Sequence, residues 1–318
     1  METHGSFDTG PGSDLPALLP SHLNWESEQV NHHTGKEVKR ADWEEIIHGP
    51  VLPFLQPKKS VNRYLLSVSL VKLKLIISYH GAAYQGWQAQ KTGLGIQSVV
   101  EEALHRFCPQ ASRLCGCSRT DTGVHALGMV AHIEIPRQGL GMPPEKLRLA
   151  MNAHLPHDVR VVRATRVPLG FHARYDARRK QYRYRIWNHP AMNPLLNGLA
   201  WHVPVRLNRP AMQEAAAQFV GTHDFRSVAS NRDYGYESTV RTLFRCEVRC
   251  QAENVIILLE GSGFLYKMCR GIAGTLIAVG KGKWEPSMIP TILQSKNRSQ
   301  SGMNAPACGL TLHRVYYH

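Results

Sequence analysis

One acid stands among small and basic residues in the run Ser118-Arg119-Thr120-Asp121-Thr122-Gly123-Val124-His125-Ala126. An arginine two positions before a carboxylate and a glycine two after it suit the acid to nucleophilic work. Positive charge nearby favours the ionised form of a carboxylate. Glycine takes backbone angles that other residues resist, so a short loop can hold its neighbour in one pose. The run leads into Met129-Val130-Ala131-His132-Ile133-Glu134-Ile135, where apolar side chains take every second place. That alternation predicts a half-buried strand with the acid on the loop that enters it.

The elements that must position this loop are legible on both sides of it. Val71, Leu73, Leu75 and Ile77 alternate with Lys72 and Lys74 as a first strand, followed by a glycine- and aromatic-rich loop, His80 to Trp87. Ile96, Val99, Val100, Ala103, Leu104 and Phe107 fall on one helical stripe. A short helix over 144–151 and an arginine-studded strand over 159–167 close this half. A second half follows with a related layout. The strand over 179–187 puts Arg179, Arg183 and Arg185 on one face and Lys180, Tyr182, Tyr184 and Ile186 on the other. A helix over 212–220, strands over 243–250 and 255–259, and a helix bearing Leu265, Met268, Cys269, Ile272, Leu276 and Val279 come next. A last helix (Met288, Ile289, Ile292, Leu293) and a strand over 310–315 finish the chain. Strands and helices interleave without the long βαβ repetition of a doubly wound sheet, which predicts an α+β fold of two similar subdomains. Their expected bounds are 69–170 and 171–318. Residues 1–68 read as an N-terminal extension, disordered or draped on the body, with a short helical look at 41–48 and a linker-like Pro50, Pro53, Pro57 series.

Charge is divided unevenly over the 318 residues, whose formal net charge is +14. Residues 1–70 hold six Lys and Arg against nine Asp and Glu; the rest hold 32 against 15. A body this basic calls for a polyanionic partner, with nucleic acid first. Seven cysteines, an odd number without a secretory signal, argue against a disulfide framework and for a reducing compartment. Cys115-x-Cys117 and the Cys246/Cys250 pair lack zinc-site spacing; Phe244, Cys246, Val248 and Cys250 share a strand face, so both thiols of that pair are expected in the core. The remaining histidines show no ligand constellation, and no metal is expected. No apolar run approaches the ~18 residues of a membrane span. The first residues resemble neither a signal h-region nor an Arg-rich transit peptide. Cytoplasm is the expected compartment, with an organelle as the alternative.

Here the residues carry a resemblance. Ser118 to Ala126 is similar to the signature loop of the tRNA pseudouridine synthase A (TruA-type) family, commonly Gly-Arg-Thr-Asp-Ala-Gly-Val-His-Ala. Gly81, Tyr84 and Gly86-Trp87-Gln88 resemble the family's first loop, and Asn152-Ala153-His154-Leu155-Pro156 its Asn-x-x-Leu-Pro segment. Phe171-His172-Ala173-Arg174 with Lys180-Gln181-Tyr182-Arg183-Tyr184 resembles the second motif. Gly221-Thr222-His223-Asp224-Phe225 and Arg241-Thr242 match further positions, and Gly263 to Gly274 resembles the third motif. The matches run in family order from about Leu70 onward.

The resemblance implies a pseudouridine synthase fold, two subdomains flanking a central basic RNA-binding cleft, and isomerisation of uridine to pseudouridine without cofactor or metal. It makes Asp121 the nucleophile and Arg270 the arginine that pairs with it. Tyr182 corresponds to the tyrosine that stacks on the base and serves proton transfer, and Arg119 to the arginine that fills the gap left by the flipped nucleotide. Arg174, Arg178, Arg179, Lys180, Arg183 and Arg185 are the expected RNA contacts. His125, grouped with these substrate-binding positions, reads as a hydrogen-bonded support of the loop. The implied substrate is the anticodon arm of tRNA, with uridines at roughly positions 38 to 40 as targets on a loop whose bases can be splayed out. The implied assembly is a homodimer, with no membrane partner. Ser118 stands where Gly is usual and Thr122 where Ala is usual, which bears on rate or substrate choice.

Other readings compete. Asp121-Thr122-Gly123 spells the aspartic protease tripeptide, but Arg119-Thr120 precede it and Val124-His125 follow where Ser or Thr continues those loops. A P-loop is excluded because Gly274 to Gly280-Lys281 has one residue too many and Gly282 stands where Ser or Thr is required. The serious rival is a non-catalytic RNA-binding member of the same family in an RNA–protein assembly; it would have lost Asp121, Tyr182 or Arg270, and all three are present.

Overall fold

The computed structural model describes residues 69–90, 93–230 and 238–318. The leader expected as residues 1–68, its helical look and its proline series lie outside the described residues. All described residues belong to one compact unit, Leu65–His318.

Period-2 patterning builds the frame. β1 (Leu70–Tyr79) buries Leu73, Leu75 and Ile77. A short β2 (Cys115–Gly116) lies on β3 (His125–Pro136), and β1 runs antiparallel between β3 and β4 (Val159–Val167). Leu73 thereby faces Ile133, and Leu75 faces Ala131 and Ala164. α1 (Ile96–His105) buries Ile96, Val100, Ala103 and Leu104, and α2 (Pro144–His154) buries Leu147 and Met151 against β4 and α1.

The second set begins with β5 (Arg179–Trp187), carrying the short β6 (Trp201–His202). β7 (Gly221–Asp224), β8 (Val240–Gln251) and β9 (Asn254–Gly261) extend the sheet from β5. α3 (Arg209–Ala217) packs on β8 and on α4 (Met268–Gly280), and α5 (Ile289–Ser295) follows. The last strand, β10 (Leu310–Tyr316), joins the two sets. It pairs parallel with β3 at Thr311–His125 and Leu312–Ala126, and antiparallel with β5 at Leu312–Tyr182. The main order is β4-β1-β3-β10-β5-β9-β8-β7, antiparallel except at β3–β10 and β5–β6. This is an α+β fold, and its seam runs beside the residues that end the Asp121 loop.

Two sequence expectations need correction. Cys250 is exposed, and Phe244 is 43% exposed, although both were expected on the buried face of β8. The register shifts between Leu243 and Arg245, leaving Phe244 in a bulge, while Cys250 lies at the hairpin end of the strand; Cys246, opposite Leu259, alone of the two thiols is buried. α4 starts at Met268, not at Leu265, because Lys267 sits in the left-handed region at φ 59°.

α4 is approached closely by other backbone. A Cβ added to Gly274 would lie 1.7 Å from the carbonyl oxygen of Met303. In an open helix Gly→Ala would stabilise by ~1 kcal/mol. Here overpacking against main chain is the larger effect, and Gly274→Ala is expected to destabilise by a net ~1–3 kcal/mol. Chemical denaturation measures it; an unchanged midpoint would show that the Met303 segment yields freely.

Candidate active site

The Asp121 loop is held from three sides. The Val124 N–H donates to the Asp121 carbonyl at 3.1 Å, closing a four-residue turn. Its third position needs positive φ, and Gly123 stands there at 77°. Buried Thr120 shares a hydroxyl hydrogen bond with Tyr79 at 2.8 Å, and its carbonyl accepts from the Trp87 N–H at 3.1 Å. The Gly123 N–H donates to Tyr84 at 3.3 Å. The aromatic loop expected at 80–87 is therefore the brace of the acid's loop. Arg119 and Thr122 are exposed on it, so the extra methyl and hydroxyl of Thr122 face outward from the brace.

His125 completes the bracing. Its Nδ1 accepts from the Gly81 N–H at 3.0 Å, and its Nε2–H donates to the Cys308 carbonyl at 3.1 Å. Burial, with help from neighbouring His80, lowers its pKa and keeps the ring neutral, as this donor–acceptor arrangement requires. The ring is 4% exposed with both nitrogens engaged. It supports the loop; it does not offer a face to a substrate.

Arg270, on the first turn of α4, meets the acid. Its Nη1 lies 3.2 Å from Asp121 Oδ2, with the two side chains 15% and 20% exposed. Its Nε donates to the Ala305 carbonyl at 2.7 Å, and the Ala305 N–H donates back to the Arg270 carbonyl at 3.0 Å. One guanidinium thus fixes the carboxylate while the chain after α5 fixes the guanidinium. Burial pushes the thiol of Cys269, one residue before, well up, with the Asp121 carboxylate raising it further, and Cys269 in turn adds to the burial that raises the Tyr182 hydroxyl.

β5 divides its side chains between two faces. Tyr182 and Lys180 point to the loop. The Tyr182 hydroxyl is 3.1 Å from Ser118 Oγ, and its ring meets Phe264 edge-on with centroids 5.0 Å apart. Lys180 Nζ donates to the Cys117 carbonyl at 2.7 Å; burial lowers its pKa. Arg179, Arg183 and Arg185 stand on the opposite face. Arg179 pairs with buried Glu260 at 2.9 Å and lies over the Tyr316 ring at 4.8 Å. Arg174 and Arg178 are exposed in the chain leading into β5. The structure therefore brings together Asp121, Arg270, Tyr182, Ser118 and Lys180, and turns Arg179, Arg183 and Arg185 away from them.

A carboxylate on a braced loop is paired to an arginine, with a tyrosine bonded to the same loop. A family model described as tRNA pseudouridine synthase matches residues 75–176 and 215–318. A protein of Geotalea daltonii named tRNA pseudouridine synthase A is 44% identical over 245 residues, covering 77% of this chain and 99% of that protein. One of Ruminiclostridium cellulolyticum with the same name is 42% identical over 247 residues, with 77% and 99% covered. Another, of a Thermoanaerobacter species, is 39% identical over 243 residues, with 76% and 98% covered. The chain belongs to the TruA-type tRNA pseudouridine synthase family.

Within this pseudouridine synthase chain some site contacts had no sequence signal. Ala305 acts through its backbone, which no residue type announces. Lys180, expected against phosphate, spends its amine on the root of the Asp121 loop. The expectation that the histidines form no constellation is corrected: Cys115, His132 and His172 bring potential ligand atoms within 4.8 Å of one another. They are spread over β2, β3 and the segment before β5, which hides the grouping in sequence. The His132 Nδ1 accepts from the Ala173 N–H at 3.1 Å, and the His172 Nδ1 from Arg174 and Tyr175 at 3.1 and 3.2 Å. Each Nε2 therefore carries the proton, and that of His172 faces Cys115 Sγ at 3.7 Å. Burial, with His172 and Lys72 beside it, holds the His132 pKa down at about 4. The lone pairs a cation would need are already taken by backbone N–H groups, so the trio reads as a hydrogen-bonded tie between β3 and the second motif.

Proposed function

We propose that this chain isomerises uridine to pseudouridine in the anticodon arm of tRNA, at roughly positions 38 to 40, with Asp121 as the covalent nucleophile. The carrying observation is the Asp121–Arg270 pair, a partly accessible carboxylate oriented by a guanidinium that is itself anchored to Ala305. The base leaves the ribose at N1, turns, and returns through C5. Atoms and electrons are conserved between uridine and pseudouridine, so the net reaction calls for no oxidant or reductant. Its demands are a positioned nucleophile, a closed pocket for the freed base, and extrusion of the nucleotide from its stack.

Arg119, exposed beside Asp121, occupies the place vacated by the flipped nucleotide. Tyr182 offers its ring to the target base, a contact of ~1–3 kcal/mol for a base on an aromatic platform. The halves 69–170 and 171–318 form two walls for the RNA, and two copies of the chain embrace one tRNA. All seven cysteines are free, which suits a reducing compartment such as the cytoplasm. Among the described residues, no helix is long and apolar enough to cross a membrane.

Incubation with an unmodified tRNA transcript carrying tritium at uridine C5 tests the proposal. Release of tritium, with pseudouridine mapped to the anticodon arm, is the expected result. Tight binding without release from several tRNAs would instead favour a non-catalytic RNA-binding role.

Salt dependence tests the phosphate contacts. Arg174 and Arg178 are exposed on the approach to the site, whereas Arg179 is committed to Glu260, and Arg183 and Arg185 serve only an RNA that wraps to the other face of the sheet. Each lost phosphate contact should flatten the slope of log affinity against log salt by ~0.7–0.9. The double variant Arg174→Ala/Arg178→Ala is expected to lose roughly twice that in filter-binding titrations. An unchanged slope would remove both residues from the RNA interface.

A further inference from the structure

Two tyrosine hydroxyls are tied to the catalytic loop, and they differ in where they lead. The Tyr79–Thr120 pair is sealed, with both residues buried. The Tyr182–Ser118 pair is not: Tyr182 is 5% exposed, but Ser118 is only half-buried. Phe264 closes the edge of the Tyr182 ring. The hydroxyl of Ser118, 3.1 Å away, shares a hydrogen bond with the buried phenol.

Joining ribose to C5 of uracil leaves that carbon with a hydrogen it must lose. Resting on the function proposed above, we propose that Tyr182 and Ser118 form a two-hydroxyl path carrying the C5 proton of the target uridine out to water. The C5–H bond breaks, its electron pair forms the C5–C6 double bond, and the displaced C6–N1 π pair returns to N1, which takes up a proton from solvent. The proton goes to Tyr182 Oη as the tyrosine's own proton passes to Ser118 Oγ, and the serine's proton passes to a solvent water. Both hydroxyls finish neutral, so the path needs no permanently ionised phenol. This matters because burial, helped by Cys269, pushes the Tyr182 hydroxyl far above the usual phenol range, while the bond to Ser118 works in the opposite direction. Ser118 acts through Tyr182 and is a positioning residue. It also gives a purpose to a serine in a place where the family's signature loop commonly has glycine.

Steady-state rates with tRNA transcripts bearing hydrogen or deuterium at uridine C5 test the path in wild type, Ser118→Ala, Ser118→Gly and Ser118→Thr. Loss of the hydroxyl is expected to lower kcat by roughly tenfold, less than the ~10²-fold of a direct proton-transfer group because water can partly stand in. KM should stay unchanged. The C5 deuterium isotope effect should rise in the Ala and Gly variants, because proton removal becomes the slow step, and Ser118→Thr should restore both kcat and the isotope effect. Adding Ser118→Ala to Tyr182→Phe should cost nothing further. Wild-type kcat and isotope effect in the Ala and Gly variants would overturn the path, as would a fall in kcat with an unchanged isotope effect, which is the signature of packing. If the wild-type chain makes no pseudouridine, the proposed function falls and the path with it; product formation with indifferent Ser118 variants sinks the path alone.

Discussion

Asp121→Asn is expected to bind tRNA normally and to make no measurable pseudouridine, with kcat reduced on the order of 10⁴- to 10⁶-fold, the range seen when a group acting within a catalytic unit is removed. Asparagine keeps the shape of aspartate and one oxygen to accept from Arg270. The bonds that brace the loop belong to Thr120, Gly123 and Val124 and to the Asp121 backbone, so they survive the change. What is lost is the negative charge that, on the proposed function, makes this side chain a nucleophile toward the uridine. Tritium release measures the rate, and a gel shift with the same tRNA should give a dissociation constant within about threefold of wild type, as expected when an interaction made only in the transition state is lost. Asp121→Glu is expected to fall by at least ~10²-fold, because an extra methylene moves the carboxylate by about 1 Å from a near-attack position. A residual rate for Asp121→Asn within ~10²-fold of wild type would leave only a general acid–base share for this residue, and would remove it as the covalent nucleophile.

Local order was legible in the sequence where side-chain type and short spacing carry it. The alternation in β1, β3 and β5 gave strands at their observed places, and the same alternation in β5 separated the Tyr182 face from the Arg183 face. The acid's loop was legible because glycine at a turn's third position and the strand after it are both local features. What joins distant segments was not. Nothing in residues 310–316 says that β10 will pair in parallel with the first residues of β3 while also pairing with β5, and that seam is what sets the Asp121 loop beside Tyr182. The bulge at Phe244 depends on how β8 aligns with β9, which no single-strand pattern contains. The Ala305 clamp on Arg270 is made by backbone groups, which every residue has. Lys180 shows the same limit from the other side: a lysine in a basic strand reads as an RNA contact until its amine is seen on the Cys117 carbonyl, 63 positions away.

Arg270 carries the second large effect, and its geometry separates charge from shape. Its Nη1 holds Asp121 and its Nε holds Ala305, so one planar group satisfies two directions at once. A lysine keeps the charge but has a single ammonium on a flexible stem, and cannot reproduce that fork. Arg270→Lys is therefore expected to lower kcat by ~10²–10³-fold, because the carboxylate is no longer held in one pose, while KM for tRNA changes little. Arg270→Ala should lose at least as much rate and also stability. Breaking a fully buried ion pair costs ~3–5 kcal/mol; with side chains 15% and 20% exposed, solvent screens part of that, and roughly 1–3 kcal/mol is the expectation. Single-turnover tritium release with saturating enzyme separates the two contributions, since it reads the chemical step on folded protein, and denaturant unfolding reads the rest. Near-wild-type kcat in Arg270→Lys would mean that positive charge alone suffices, and the Ala305 anchor would then matter for the fold and not for the reaction. A large fall in Arg270→Lys with unchanged stability would place the guanidinium's geometry, beyond its charge, in the path of the chemistry.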